Sequence, residues 1–231
     1  YFFWSLIEGN HPAPGSRFLA VTDPGSVLER LAGERSFRAV VPGPEDVGGR
    51  FRALSPFGLL PAALIGVDTA ALLASGSEMA AACRSTEVAS GANPGVTLGA
   101  VLGELALAGR DKLTLLTSES LESLPDWIEQ LVAESTGKDG RGIVPVVGEP
   151  LGAAAEHPGD RLFAAIVLDG DDSAELDAFL EEAGAAGHPW LRIRLDAREA
   201  LGAEMFRWEL ATAAASSVLA CVGLILLGAS S

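Results

Sequence analysis

Lys112–Val147 reads KLTLLTSESLESLPDWIEQLVAESTGKDGRGIVPVV. Its first six residues form a short aliphatic run with Thr at two positions, which predicts a buried strand over Lys112–Thr117. Leu121, Leu124, Trp127, Ile128, Leu131 and Val132 then recur at helical spacing, so Leu121–Glu134 reads as an amphipathic helix. Ile143–Val147 returns to a strand pattern after the tight polar loop Gly137–Gly142. Strand, helix and strand within 36 residues is the signature of a parallel sheet covered by helices.

The same alternation extends outward. Downstream, Leu162–Leu168 and Trp190–Leu195 read as strands, Ser173–Ala186 as a helix, and a final helix is expected to begin near Ala197. Upstream, Arg17–Thr22 and Phe37–Val41 read as strands flanking a helix over Ser26–Leu31, with Pro42-Gly43-Pro44 stopping the second. Helices are expected over Ser55–Gly66, Asp68–Ala74, and from Asn93-Pro94 through Arg110. The fold class is therefore α/β, with a mostly parallel sheet between helices. Three segments follow: residues 1–45, the tail of one α/β unit; 46–110, a helical connector; and 111–231, a nearly whole second unit with a C-terminal helix.

Composition bounds the function. With 231 residues, 48% of them hydrophobic, the chain can bury a sizeable core. A net charge of -15 argues against nucleic-acid binding, which needs clustered Lys and Arg, yet leaves room for one phosphate held by local donors. The two cysteines, Cys83 and Cys221, lie far apart and suggest neither a disulfide framework nor a zinc site. No metal or organic cofactor is expected. Tyr1–Ile7 is apolar without a basic flank or cleavage site, so no signal peptide is read there, and the missing initiator Met suggests a start inside a longer protein. Leu210–Ser231 carries no charge, but its Ala and Ser content reads as a buried helix rather than a membrane span. A soluble, cytoplasmic setting follows.

Three constellations could carry chemistry. In Asp46-Val47-Gly48-Gly49-Arg50-Phe51, two glycines would let backbone approach a ligand while the Arg50 guanidinium offers a rigid fork to an anion; the alternative is a Gly-rich turn with a solvated Arg. Gln130 and Glu134 stand four apart and share one helical face. A Glu at a helix C-terminus is disfavoured by the dipole and so asks for a reason, although the end of the helix alone can explain the turn. Val147-Gly148-Glu149-Pro150 ends a strand at the sheet edge where open α/β sheets bind ligands. His11 and His188 sit beside prolines and read as solvated loop residues, and Asp169–Asp172 as a solvated turn.

Taken in order, these segments resemble one family. Phe37–Asp68 is similar to the signature region of the phosphoglucose isomerases, whose G-G-R-[FY] loop precedes a small-residue helix; Glu134–Lys138 (ESTGK) is similar to the E-S-N-G-K stretch around the family's catalytic glutamate. Gln130 matches the glutamine one turn earlier, and Gly148-Glu149-Pro150 the G-E-P that follows. The resemblance runs from about Phe18 to about Ala214. It is closest to the isomerase half of bacterial transaldolase–phosphoglucose isomerase fusions, which leaves open a transaldolase domain upstream. It implies sugar isomerase (SIS) domains of three α/β/α layers and a homodimer. The activity it implies is interconversion of glucose 6-phosphate and fructose 6-phosphate through a cis-enediol. Glu134 would be the base, Arg50 would stabilise the enediolate, and Gly48, Gly49 and Gln130 would bind substrate. Burial and the helix C-terminus would raise the Glu134 carboxyl toward neutrality.

The departures are as specific. Nothing matches the family's S-K-[ST]-G-[GT]-T phosphate loop, expected upstream of Tyr1. Arg52 stands where many members have a small residue. After G-E-P, Leu151–Leu162 runs LGAAAEHPGDRL in place of G-T-N-G-Q-H, so His157 is assigned no role. Phe206–Ala213 looks like the closing helix, but the N-P-F-D-Q-P and lysine beyond it are absent. The isolated chain is thus expected to be an incomplete enzyme, the alternative being a non-catalytic SIS-type sugar-phosphate-binding module or inactive fragment.

Overall fold

The computed structural model of the chain describes residues 2–87, 90–137 and 142–219. Lys138 of the E-S-T-G-K run, Cys221 and the apolar tail from Ala220 onward lie outside these residues. Two compact units divide the chain, Tyr1–Thr69 and Ala70–Ser231, and the division falls inside the stretch read as a connector.

In the first unit, α1 (Phe2–Glu8) precedes β1 (Leu19–Thr22), α2 (Val27–Glu34), β2 (Ala39–Pro42) and α3 (Pro56–Leu64). β1 and β2 pair in parallel, Leu19 beside Ala39. Ser26 and Ser55 cap α2 and α3 by accepting the amides of Glu29 and Phe57, which satisfies donors that a helix start leaves unpaired. Trp4, Phe18 and Phe37 stack in one aromatic cluster. Trp4 ties α1 to this cluster, while Phe2, Phe3 and Leu6 of the same helix stay exposed.

The second unit opens with α4 (Thr69–Ala82) and α5 (Pro94–Leu107), the latter capped by Asn93, which accepts the Val96 amide at 3.0 Å. It continues with β3 (Lys112–Thr117), α6 (Leu124–Thr136), β4 (Val144–Val146), β5 (Arg161–Leu168), α7 (Ala174–Ala185), β6 (Trp190–Leu195) and α8 (Leu201–Val218). All four strands are parallel in the order β4-β3-β5-β6, so the expectation of one parallel sheet holds.

Position in the sheet explains each strand's composition. Central β5 is buried from Leu162 to Leu168, as a strand covered on both faces must be. Edge strand β6 alternates, exposing Trp190, Arg192 and Arg194 while burying Ile193 and Leu195. Edge position also lets β4 carry Pro145, which has no amide to donate to a further strand.

Phe163, Ala165 and Val167 of β5 share one face with Leu176, Phe179, Leu180 and Ala183 of α7. The intervening residues of β5 point to the opposite face, and α6 packs on β3 and β4. Ile128 and Leu131 of α6 are fully buried, each worth about 1.5–3 kcal/mol of apolar transfer. α5 and α8 pack tightly together, with Gly95, Gly99 and Gly103 facing Leu210, Ala211 and Val218.

One helix boundary shifts. The last helix starts at Leu201 rather than near Ala197, because Arg198–Ala200 form a 3-10 turn first. Of the C-terminal stretch read as core, Ala211, Thr212, Ala215, Ser216 and Leu219 are buried, and no helix among the described residues is long and apolar enough to cross a membrane.

Candidate active site

The first unit presents Gly48, Gly49 and Arg50 on the loop between β2 and α3. Gly49–Phe51 form a 3-10 turn, with Gly48 extended at φ -61°. Neither glycine is needed for a left-handed backbone, and a Cβ at Gly49 would meet nothing within 4 Å. What glycine leaves at position 49 is open surface. The Arg50 guanidinium lies 5.5 Å from the centre of the Phe51 ring.

Arg52 braces this loop from behind. Its Nε donates to the Val47 carbonyl at 2.5 Å, one terminal nitrogen donates to Asp23 at 2.9 Å, and the guanidinium sits 4.7 Å over the Phe57 ring. The loop that carries Arg50 is therefore tied to both the end of β1 and the start of α3. Sequence reasoning registered Arg52 only as a departure. Its flanking glycine, serine and aromatic residues gave no sign of the three partners.

In the second unit, Gln130 and Glu134 project from the exposed face of α6, opposite Ile128, Leu131, Val132 and Ser135. Gln130 Nε2 donates to Glu134 Oε1 at 3.3 Å. The structure thus brings together the pair that spacing predicted. The expected burial of Glu134 is not found, because the last turn of α6 turns this face outward.

Gly148 and Glu149 take a different place. With Leu116, Thr117, Glu122 and Asp126 they line a cleft of about 360 Å3 at the carboxyl edge of β3 and β4, beside the first turn of α6. Glu134 stands in the last turn of that helix, at its other end. Glu149 is also committed to a structural pair: Arg161 grips both its carboxylate oxygens, at 2.8 and 3.1 Å, and donates to Thr114 Oγ1.

Two histidines pack against aromatic rings of the second unit. His157, half-buried, lies edge-on to Phe163 and Phe179. His188, read as solvated, is buried: Gly187 turns the chain at φ 86°, the His188 amide bonds the Ala183 carbonyl, and the ring packs edge-on against Phe163. The Asp169–Asp172 turn is a set of local ties, Asp169 to Arg194 and Asp171 to Ser120, and no metal-binding cluster is found among the described residues.

Known proteins supply the decisive comparison. The chain is 38% identical over 133 residues to a glucose-6-phosphate isomerase of Rubrobacter xylanophilus, covering 56% of this chain and 30% of that protein. It is 37% identical over 150 residues to a probable glucose-6-phosphate isomerase of Haloarcula marismortui, covering 64% and 33%. This chain is a relative of the glucose-6-phosphate isomerases. A probable glucose-6-phosphate isomerase of Natronomonas pharaonis matches at 35% over 193 residues, 69% of this chain and 44% of that one. The chain therefore spans between 30 and 44% of these three isomerases' own lengths. No family profile matches it. A crystal structure of a hypothetical protein from Thermus thermophilus superposes with a TM-score of 0.81 at 23% identity, covering 93% of this chain and 61% of that one. That likeness establishes the α/β fold.

Proposed function

We propose that this chain supplies the proton-transferring part of an aldose–ketose isomerase that interconverts glucose 6-phosphate and fructose 6-phosphate. The observation that supports the reading is the name shared by its relatives, glucose-6-phosphate isomerase, joined to the Gln130–Glu134 pair that the resemblance to an E-S-N-G-K stretch singles out. The reaction moves one proton between C1 and C2 through a cis-enediolate. One carboxylate can take that proton and return it to the neighbouring carbon, so Glu134 suffices as base.

Arg50 steadies the negative oxygen that forms when the proton leaves, with the planar guanidinium acting as a preorganised donor. The open surface at Gly49 lets the loop backbone come within reach of a sugar hydroxyl. Gln130 orients the base and can release its amide to a substrate hydroxyl. On this reading the whole protein is a cytoplasmic homodimer of SIS domains acting on a sugar phosphate.

The test uses the full-length protein that contains this chain, in a coupled assay with fructose 6-phosphate. Glu134→Gln keeps the shape and removes the proton acceptor, so kcat should fall by about two to four orders of magnitude. Exchange of the C2 proton with solvent should vanish with it, because exchange reports enediol formation directly. Near-normal exchange in Glu134→Gln would show that another residue is the base. An inactive wild-type protein that still binds fructose 6-phosphate would favour a binding module instead.

A further inference from the structure

The residues just after Glu134 are held by two hydroxyls from different parts of the unit. Thr136 is fully buried at the end of α6. Its hydroxyl donates to the Val132 carbonyl at 2.8 Å, and its oxygen accepts the Ile143 amide at 3.0 Å. A hydroxyl has one proton and two lone pairs, so both bonds can be made at once. The Ile143 carbonyl is farther off, at 3.4 Å, and the Val132 carbonyl is the better acceptor. One side chain therefore closes the last helical turn and anchors the residue that precedes β4.

The second hold comes from α8. Ser216, fully buried, places its hydroxyl 3.2 Å from the Ser135 carbonyl and 2.8 Å from the Thr212 carbonyl, sharing one proton between them. Carbonyls in the last turn of a helix lose their intrahelical partners, and a helix end without substitutes frays. Here the Gly137 amide continues the helical pattern to the Ala133 carbonyl at 3.0 Å, and Ser216 of α8 reaches the Ser135 carbonyl at 3.2 Å. Residues 135 and 136 are buried and hydrogen-bonded while the Glu134 side chain points outward.

We propose that Thr136, backed by Ser216, is a positioning residue for Glu134; this rests on Glu134 being the base. A base must come within hydrogen-bond reach of the proton that it takes, and a shift of about 1 Å can cost about a hundredfold in rate. Glu134 stands on an exposed helix face, where Gln130 donates to one carboxylate oxygen, so its placement also depends on the backbone that carries it. The hydroxyl at position 136 supplies that precision at the turn and at the next strand together.

The experiment measures kcat, KM and C2-proton exchange in the full-length protein, with melting temperature alongside. Thr136→Val keeps the shape and removes the hydroxyl. It should lower kcat about ten- to a hundredfold, with exchange falling in step, while KM stays within about twofold. Thr136→Ser should restore most of the rate, because the hydroxyl returns. Ser216→Ala should give a smaller loss in the same direction, and Ser217→Ala, on the exposed side of α8, no change. A folded Thr136→Val enzyme with unchanged kcat and only a lower melting temperature overturns the proposal. If Thr136→Val does not fold, Ser216→Ala decides, and an unchanged kcat there overturns it. Glu134→Gln run in parallel separates the two ideas. An inactive Glu134→Gln beside a fully active Thr136→Val defeats positioning alone, whereas an active Glu134→Gln defeats the base assignment on which it rests.

Discussion

Gln130 reaches one turn along α6 and donates its amide to Glu134 Oε1 at 3.3 Å, so the two polar residues on this helix face act as a pair. In the full-length protein that contains this chain, Gln130→Met removes the donor without changing length. The bond is exposed, so kcat/KM should fall by roughly tenfold or less. Gln130→Glu should do more, because a second carboxylate at i−4 opposes ionisation of Glu134, the proposed base. The acid limb of its pH–rate profile should move to higher pH. Steady-state rates across the pH range measure both, and a Gln130→Glu profile that overlays wild type would break the link between this pair and the chemistry.

Arg52 makes the second prediction. It ties Val47, Asp23 and Phe57 together around the loop that carries Arg50. Lysine cannot fill three partners at once, since it lacks the planar fork. Arg52→Lys should therefore loosen the loop, raising KM and lowering stability by about 1–2 kcal/mol. Arg50→Lys, by contrast, should reduce kcat with little effect on the melting temperature. If the two variants prove alike in both respects, the loop is not organised as described.

Much of this architecture was legible in advance. Lys112–Thr117 and Trp190–Leu195 were bounded correctly because aliphatic runs meet polar turns at both ends. Gln130 and Glu134 were paired by spacing alone, since a helix fixes which residues share a face. What stayed hidden depended on contacts between segments distant in sequence. Nothing local to Gly187-His188-Pro189 reveals that Phe163 waits to receive the ring. Nothing in Ser216 points to the Ser135 carbonyl 81 residues away. Pattern reports which face an element buries, not which atoms meet there.

Glycines in the two units should respond oppositely to a side chain. A Cβ at Gly99 would stand 2.3 Å from the Ala211 carbonyl oxygen and 2.6 Å from the Ala214 Cβ, so α5 and α8 would have to separate. Gly99→Ala should cost about 1–3 kcal/mol, the usual range for overpacking. Gly49→Ala meets nothing within 4 Å and should leave the melting temperature unchanged. If the Gly49 surface is where substrate approaches, the same variant should still raise KM. Thermal melts and kinetics on the two variants check this crossing of effects.

The last prediction concerns two carboxyls on α8. Burial raises Glu204 from its ordinary value of 4.5 to about 7, partly offset by Arg207, and raises Glu209 to about 8. Arg207 lies 3.2 Å from one oxygen of Glu204, while the other finds no hydrogen-bond partner among the described residues, and one Glu209 oxygen is in the same position. A raised folded-state value means that the folded protein holds these protons more tightly than the unfolded chain does. Their contribution to stability is therefore complete below about pH 4.5 and is lost as the pH rises through about 7 and then 8. For Glu204, whose side chain is 3% exposed, the loss is on the order of 3 kcal/mol. Glutamine keeps the shape without a proton to lose. Glu204→Gln and Glu209→Gln should each melt higher than wild type near pH 8.5 and close to wild type near pH 5. The double variant should show the flattest dependence of melting temperature on pH across this range. Equal slopes in wild type and the double variant would mean that neither carboxyl is held neutral by burial in α8.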